Sequence, residues 1–217
     1  MKKIIQFNGK NIAYRRDGSG PALVLLHGFL ESGSIWDGFS AQLLHDFTVL
    51  AIDLPGHGNS EVLSTSHSMH LMAEAVKAVI QSEGIDSVVI AGHSMGGYVA
   101  LQFAAENEAM VEGVVLFHSH AGADSEQARE NRLRTIEIVK QNRGGFIMQF
   151  IPDLFDQRHV GKYADEIRNL QDIASQMSSE AIIAALSDMR ERTGQLEFLA
   201  GTQIPVLFII GKQDSRM

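Results

Sequence analysis

Two rhythms of apolar residues alternate along the first half of the chain. Residues 22–26, 47–52, 87–91 and 111–117 form short, nearly unbroken apolar runs. Such runs predict parallel strands buried on both faces. Between them, residues 69–82 and 98–106 place alanine, valine, leucine and isoleucine at helical spacing, and residues 35–44 read as a further helix. Ahead of this series, residues 3–7 and 11–16 are strand-like and joined by Asn8-Gly9-Lys10, a hairpin signal. Strand and helix in alternation predict a mostly parallel α/β sheet with helices on both faces.

After residue 117 the rhythm changes. Residues 124–200 carry helical patterns and no convincing parallel-strand run. Asp124 with Gln127 resembles a capping box opening a polar helix through Lys140. An apolar stretch with Phe146, Phe150 and Phe155 surrounds Pro152. Residues 179–192 read as an amphipathic helix, and residues 195–200 as a short one ended by Gly201. Beyond Pro205, residues 206–210 resume the buried-strand pattern. The predicted organisation is therefore a core at 1–123, an inserted helical cap at 124–200 and the core resumed at 201–217. An insertion of this length at the carboxyl edge of a sheet predicts a lid over a site.

Composition narrows the chemistry. The 217 residues suffice for one sizeable core, and a net charge of -8 argues against nucleic acid or an anionic membrane as partner. The absence of cysteine removes disulfides, thiolate metal sites and a cysteine nucleophile. The start, Met1-Lys2-Lys3-Ile4-Ile5, leads into no apolar signal region, and no run approaches the roughly eighteen apolar residues of a membrane span. These features predict a cytoplasmic protein and say nothing positive about its substrate. They leave the oligomeric state open.

The chemistry concentrates where the third run of this series ends. Gly92-His93-Ser94-Met95-Gly96 is a G-x-S-x-G pattern set between a strand and a helix, the context a nucleophile elbow requires. Side chains at the flanking positions would collide in so sharp a turn, which accounts for both glycines. Strand geometry turns His93 away from the serine hydroxyl and gives it a structural role. Asp53 and His57 are four apart but separated by Pro55-Gly56, with no third ligand at metal spacing, so they read as a structural loop.

Four segments together resemble the α/β-hydrolase superfamily, in its capped group of small-molecule serine esterases and C–C hydrolases. They are Leu25-Leu26-His27-Gly28-Phe29, the loop Asp53 to Ser60, Gly92-His93-Ser94-Met95-Gly96-Gly97 and Gly211-Lys212-Gln213-Asp214, in family order and spacing. The resemblance implies Ser94 as nucleophile, the backbone N–H groups of Phe29 and Met95 as oxyanion hole, and Asp214 as triad acid. It gives His27 and Gly28 the shaping of the oxyanion loop. Asp124, after a sheet strand, is a reserve acid or a helix cap. His118 and His120 end a strand near the cap, where either can line the pocket.

The implied reaction is hydrolysis of a carboxylic ester through an acyl-enzyme. C–C cleavage of a diketone-like substrate and non-catalytic binding of a small molecule are the alternatives. Epoxide hydrolysis and dehalogenation of the family kind use an aspartate where this chain has Ser94. One departure stands out. The family's base is a histidine after the acid, but only Ser215-Arg216-Met217 follow Asp214 in this sequence. The expectation is that the native protein continues with a strand, a helix and that histidine, which would also cover the apolar edge at 206–210. The 217-residue form alone is expected to be inactive.

Overall fold

The computed structural model describes residues 1–65, 67–212 and 214. Its seven strands are β1 (Lys2–Phe7), β2 (Lys10–Gly18), β3 (Ala22–Leu26), β4 (Thr48–Ile52), β5 (Val88–His93), β6 (Val111–Phe117) and β7 (Val206–Ile209). They form one sheet in the order β1-β2-β4-β3-β5-β6-β7. The hairpin strands β1 and β2 pair antiparallel, as do β2 and β4, and every later pair is parallel. β3 and β4 are buried at every position, as their unbroken apolar sequences require.

Alternate side chains of these strands feed two cores. Val24, Leu26 and Ile90 face the larger one, closed by α2 (Met69–Ser82) and α3 (Met95–Glu106). Leu23, Leu25, Val49 and Ala91 face the other, closed by Trp36. Trp36 stacks edge-on against Phe117 at 5.6 Å. The helix expected at 35–44 is much shorter. A 3₁₀ turn (Gly33–Trp36) leads into the four-residue α1 (Asp37–Ser40), and turns continue beyond it. Gly38 in its middle weakens helix propagation, so packing of Trp36 decides the local shape.

Four helices lie between β6 and β7: α4 (Glu126–Phe150), α5 (Ala164–Ser175), α6 (Ser179–Glu191) and α7 (Leu196–Gly201). α4 breaks at Asn142 (φ −151°, ψ 73°), whose side-chain oxygen accepts the Gly145 N–H at 2.9 Å. The helix cap expected at Asp124 is Ser125 instead, whose hydroxyl accepts the Ala128 N–H at 3.2 Å. Among the described residues β7 is the last strand of the sheet on that side. Leu207, Phe208 and Ile209 are 55%, 46% and 38% exposed, so both faces of this strand present apolar side chains. Among the described residues no helix is long and apolar enough to cross a membrane.

Candidate active site

The register Leu26↔Gly92 brings the end of β3 beside the end of β5, and the loop that follows each strand opens at the same edge. Ser94 sits between β5 and α3 with φ 49° and ψ −113°, a left-handed conformation rare for a residue with a side chain. The turn closes so tightly that a Cβ on Gly92 would lie 2.2 Å from the Gly96 carbonyl oxygen. One on Gly96 would lie 2.6 Å from the carbonyl oxygens of Leu26 and His27. The elbow therefore rests directly on the loop after β3, and only glycine permits the approach.

Ser94 is pinned through its backbone. Its N–H donates to Phe117 O at 2.9 Å, and its carbonyl accepts the Ser119 hydroxyl at 2.8 Å. Met95 opens α3, so its N–H has no acceptor within the helix and lies at the positive end of the helix dipole. Across from it, His27 donates from Nδ1 to Gly28 O (2.8 Å) and accepts the Leu54 N–H at Nε2 (2.9 Å). Burial lowers its pKa and keeps it neutral, a fully used tautomer with no proton to trade. The Gly28 N–H is taken by the Glu31 carboxylate at 2.6 Å. The next N–H, that of Phe29, meets no acceptor among the described residues. The Phe29 ring meets Phe150, near the end of α4, edge-on at 5.8 Å.

His93 turns to the face opposite the larger core, where its Nδ1 meets Glu31 Oε2 at 2.9 Å. Burial alone would lower the His93 pKa, but the Glu31 carboxylate outweighs it and raises it. Burial likewise works against charge on Glu31, and His93 with the Gly28 N–H reverses that, so the carboxyl is held below its usual range. Nothing in the sequence spacing marked Glu31. Its signal was an acid inside an otherwise small and apolar loop.

Asp214 lies beyond β7 and places Oδ2 2.5 Å from His118 Nδ1. His118 itself follows β6 with φ 43° and stands 6.2 Å from the His93 ring, edge-on. Gln213 of the last motif, and residues 215–217 beyond it, lie outside the described residues. His120 is engaged elsewhere: it accepts the Gly122 N–H at Nδ1 (3.1 Å) and meets Tyr98 Oη at Nε2 (3.3 Å).

The reserve role of Asp124 does not survive. Its carboxylate is buried and bound by two guanidinium groups, Arg132 and Arg192, each at 2.5 Å. A carboxylate so neutralised has no free edge for a histidine. It is not the cap of α4 either, because its oxygens are committed to the arginines. Asp53 is likewise spent on backbone, accepting the N–H groups of Gly33 (2.7 Å), at the end of the loop after β3, and of Asn59 (2.9 Å) in its own loop. Among the described residues no three His, Asp or Glu side chains converge as a metal site.

A parallel sheet with an elbow at its carboxyl edge defines a class of protein, and comparison with known families agrees. Residues 21–217 match the family model of the alpha/beta hydrolase fold. The chain belongs to this family. Over 209 residues it is 29% identical to the 2-succinyl-6-hydroxy-2,4-cyclohexadiene-1-carboxylate synthase of Yersinia enterocolitica, covering 93% of this chain and 74% of that one. Its structure is similar to that of a thermophilic esterase from Thermogutta terrifontis, with a TM-score of 0.91 and 29% identity over 99% of this chain and 81% of that one. An uncharacterized protein of Mycobacterium tuberculosis is 38% identical over 109 residues, 50% of this chain but only 32% of that protein's length.

Proposed function

We propose that this protein is a serine hydrolase that cleaves a carboxylic ester of a small molecule through an acyl-enzyme. The observation that carries the reading is the juxtaposition at Ser94: a strained serine at a helix N-terminus, packed against a loop whose Phe29 N–H is unclaimed among the described residues. The esterase likeness supports the same reading.

In this mechanism Ser94 Oγ attacks the substrate carbonyl carbon as a histidine takes its proton. The carbonyl oxygen becomes an oxyanion held by the Phe29 and Met95 N–H groups. The C–O bond then breaks, and the imidazolium protonates the departing alkoxide. Water, losing a proton to the same imidazole, attacks the acyl carbon; the acid departs and Ser94 recovers its proton. Asp214 orients the histidine and stabilises its charged form. Asp214 holds His118 here, whereas the family order puts the base after the acid. Residues 124–200 act as the lid, with Phe150 on Phe29 forming part of the apolar wall. Neither metal nor organic cofactor has a part in these steps.

The test is turnover of p-nitrophenyl acetate by the full-length protein. Ser94→Ala is expected to lower kcat by at least about a thousandfold with the fold intact. Undiminished turnover would sink the proposal. His118→Ala tests His118 as the base: lost turnover supports that role, and preserved turnover excludes it.

A further inference from the structure

We infer that Glu31 and His93 form a positioning pair that aligns the two halves of the oxyanion hole. The inference rests on the serine-hydrolase reading above. His93 immediately precedes Ser94 and Met95, so it belongs to the elbow. Glu31 belongs to the loop carrying Phe29. The pair therefore ties the elements that supply one N–H each.

The ties are specific. Glu31 Oε2 takes both the His93 Nδ1 contact at 2.9 Å and the Gly28 N–H at 2.6 Å. Glu31 is 5% exposed, so the carboxylate is screened little by water. The Glu31 N–H also returns to Gly28 O at 3.4 Å, closing a turn over residues 28–31. By claiming the Gly28 N–H, the carboxylate holds the His27–Gly28 peptide, while the Glu31 N–H and His27 Nδ1 on Gly28 O hold the next one, whose Phe29 N–H meets no acceptor among the described residues. Gly28 must be glycine for this: a Cβ there would stand 2.8 Å from Glu31 Oε2 and 2.9 Å from His93 Nδ1. Leu30, with φ 64°, holds the left-handed conformation that returns the chain so the acid can reach back. The local strain, the glycine and the buried charge all serve one geometry.

Neither residue touches substrate in this arrangement. Their effect reaches the reaction through two N–H positions, and a misplacement of these is felt where charge develops on oxygen. The test uses Glu31→Ala and Glu31→Gln, the second retaining an oxygen that can accept both donors should the first fail to fold. Three quantities are read: kcat and KM on p-nitrophenyl acetate, the ratio of kcat/KM for the ester over its thionoester, and amide hydrogen exchange across residues 28–33. A thionoester places sulfur, a poor hydrogen-bond acceptor, where the ester places oxygen, so the ratio reports the oxyanion hole.

Expected for Glu31→Ala is a fall in kcat of about a hundredfold with KM nearly unchanged, and a fall of about tenfold in the ester preference. Exchange is expected to quicken at least about tenfold from Gly28 through Gly33 together, while β3 stays protected. Glu31→Gln should lie between it and the parent. A lowered melting temperature with kcat and ester preference unchanged would make the pair merely structural and overturn the inference. So would quickened exchange confined to Gly28. Should the parent itself not turn over, the hydrolase reading fails by that result, and the exchange pattern still decides whether the pair holds the loop.

Discussion

The sheet and the helical insertion share the larger apolar core but differ in what fastens them where the chain crosses between them. β3, β4 and β5 are interior strands whose alternate side chains vanish into two cores, and the elbow fits its neighbours backbone to backbone. The insertion is different. Its helices pack Ile147, Ile182 and Leu186 into the larger core, but near the chain crossings it adds buried ion pairs. Asp124, where the chain leaves the core, grips Arg192, where it returns. The Arg192 side chain is 2% exposed and also donates to Met189 O and Gly122 O, with its guanidinium 3.8 Å over the Tyr98 ring. A sheet built from many small apolar burials tolerates the loss of one. A latch built from one buried charge does not.

The comparison breaks most directly at that latch. Arg192→Met should cost about 3 kcal/mol, because Asp124 keeps Arg132 but loses its better-buried partner. Ile90→Val, in the middle of β5, should cost only about 1 kcal/mol. Denaturant titration of both variants gives the order. Equal costs would mean that the insertion is held by apolar contact like the rest.

The same division separates what the sequence made legible from what it hid. Interior strands and the elbow were readable because burial on two faces and a glycine-framed turn leave local marks. Only the bounds moved: β5 extends to His93, and the strand expected at 206–210 ends at Ile209. Asp124 misled because its meaning depends on Arg192, a residue distant in sequence. A capping pattern and a buried ion pair look alike in a local window. The role of Glu31 was hidden for the same reason, its partner His93 lying on β5, distant in sequence. The short α1 shows the converse, a helical pattern overridden by one tryptophan seeking the space beside Phe117.

A second tie between core and insertion is acid-sensitive. His67 is fully buried; its Nε2 accepts the Leu63 N–H at 3.0 Å, and its own N–H donates to Asp188 on α6 at 2.5 Å. Burial lowers its pKa from 6.5 to about 4. The unfolded chain therefore takes up this proton first as pH falls. Stability is full above about pH 6.5 and declines down to about pH 4, by about 3 kcal/mol at most from this group. Buried His27 and His57, lowered too, act in the same direction. His67→Gln keeps an acceptor for Leu63 and cannot titrate, so its stability should fall less than the parent's between pH 6.5 and 4. Parallel curves would place the acid sensitivity elsewhere.

The smallest expected effect sharpens the boundary itself. If Ser125 is the cap of α4, Ser125→Ala removes the acceptor of the Ala128 N–H and costs about 1 kcal/mol. The loss is modest because that end of the helix is exposed and water replaces the hydroxyl in part. If Asp124 were the cap instead, Ser125→Ala would be nearly silent in thermal unfolding. Ser178 provides the internal standard, since its hydroxyl caps α6 in the same way, accepting the Ala181 N–H at 3.2 Å. Similar costs at both serines would leave Asp124 free of helix capping. Its buried charge then serves the two arginines, tying the start of the insertion to Arg132 on α4 and to Arg192 near its end.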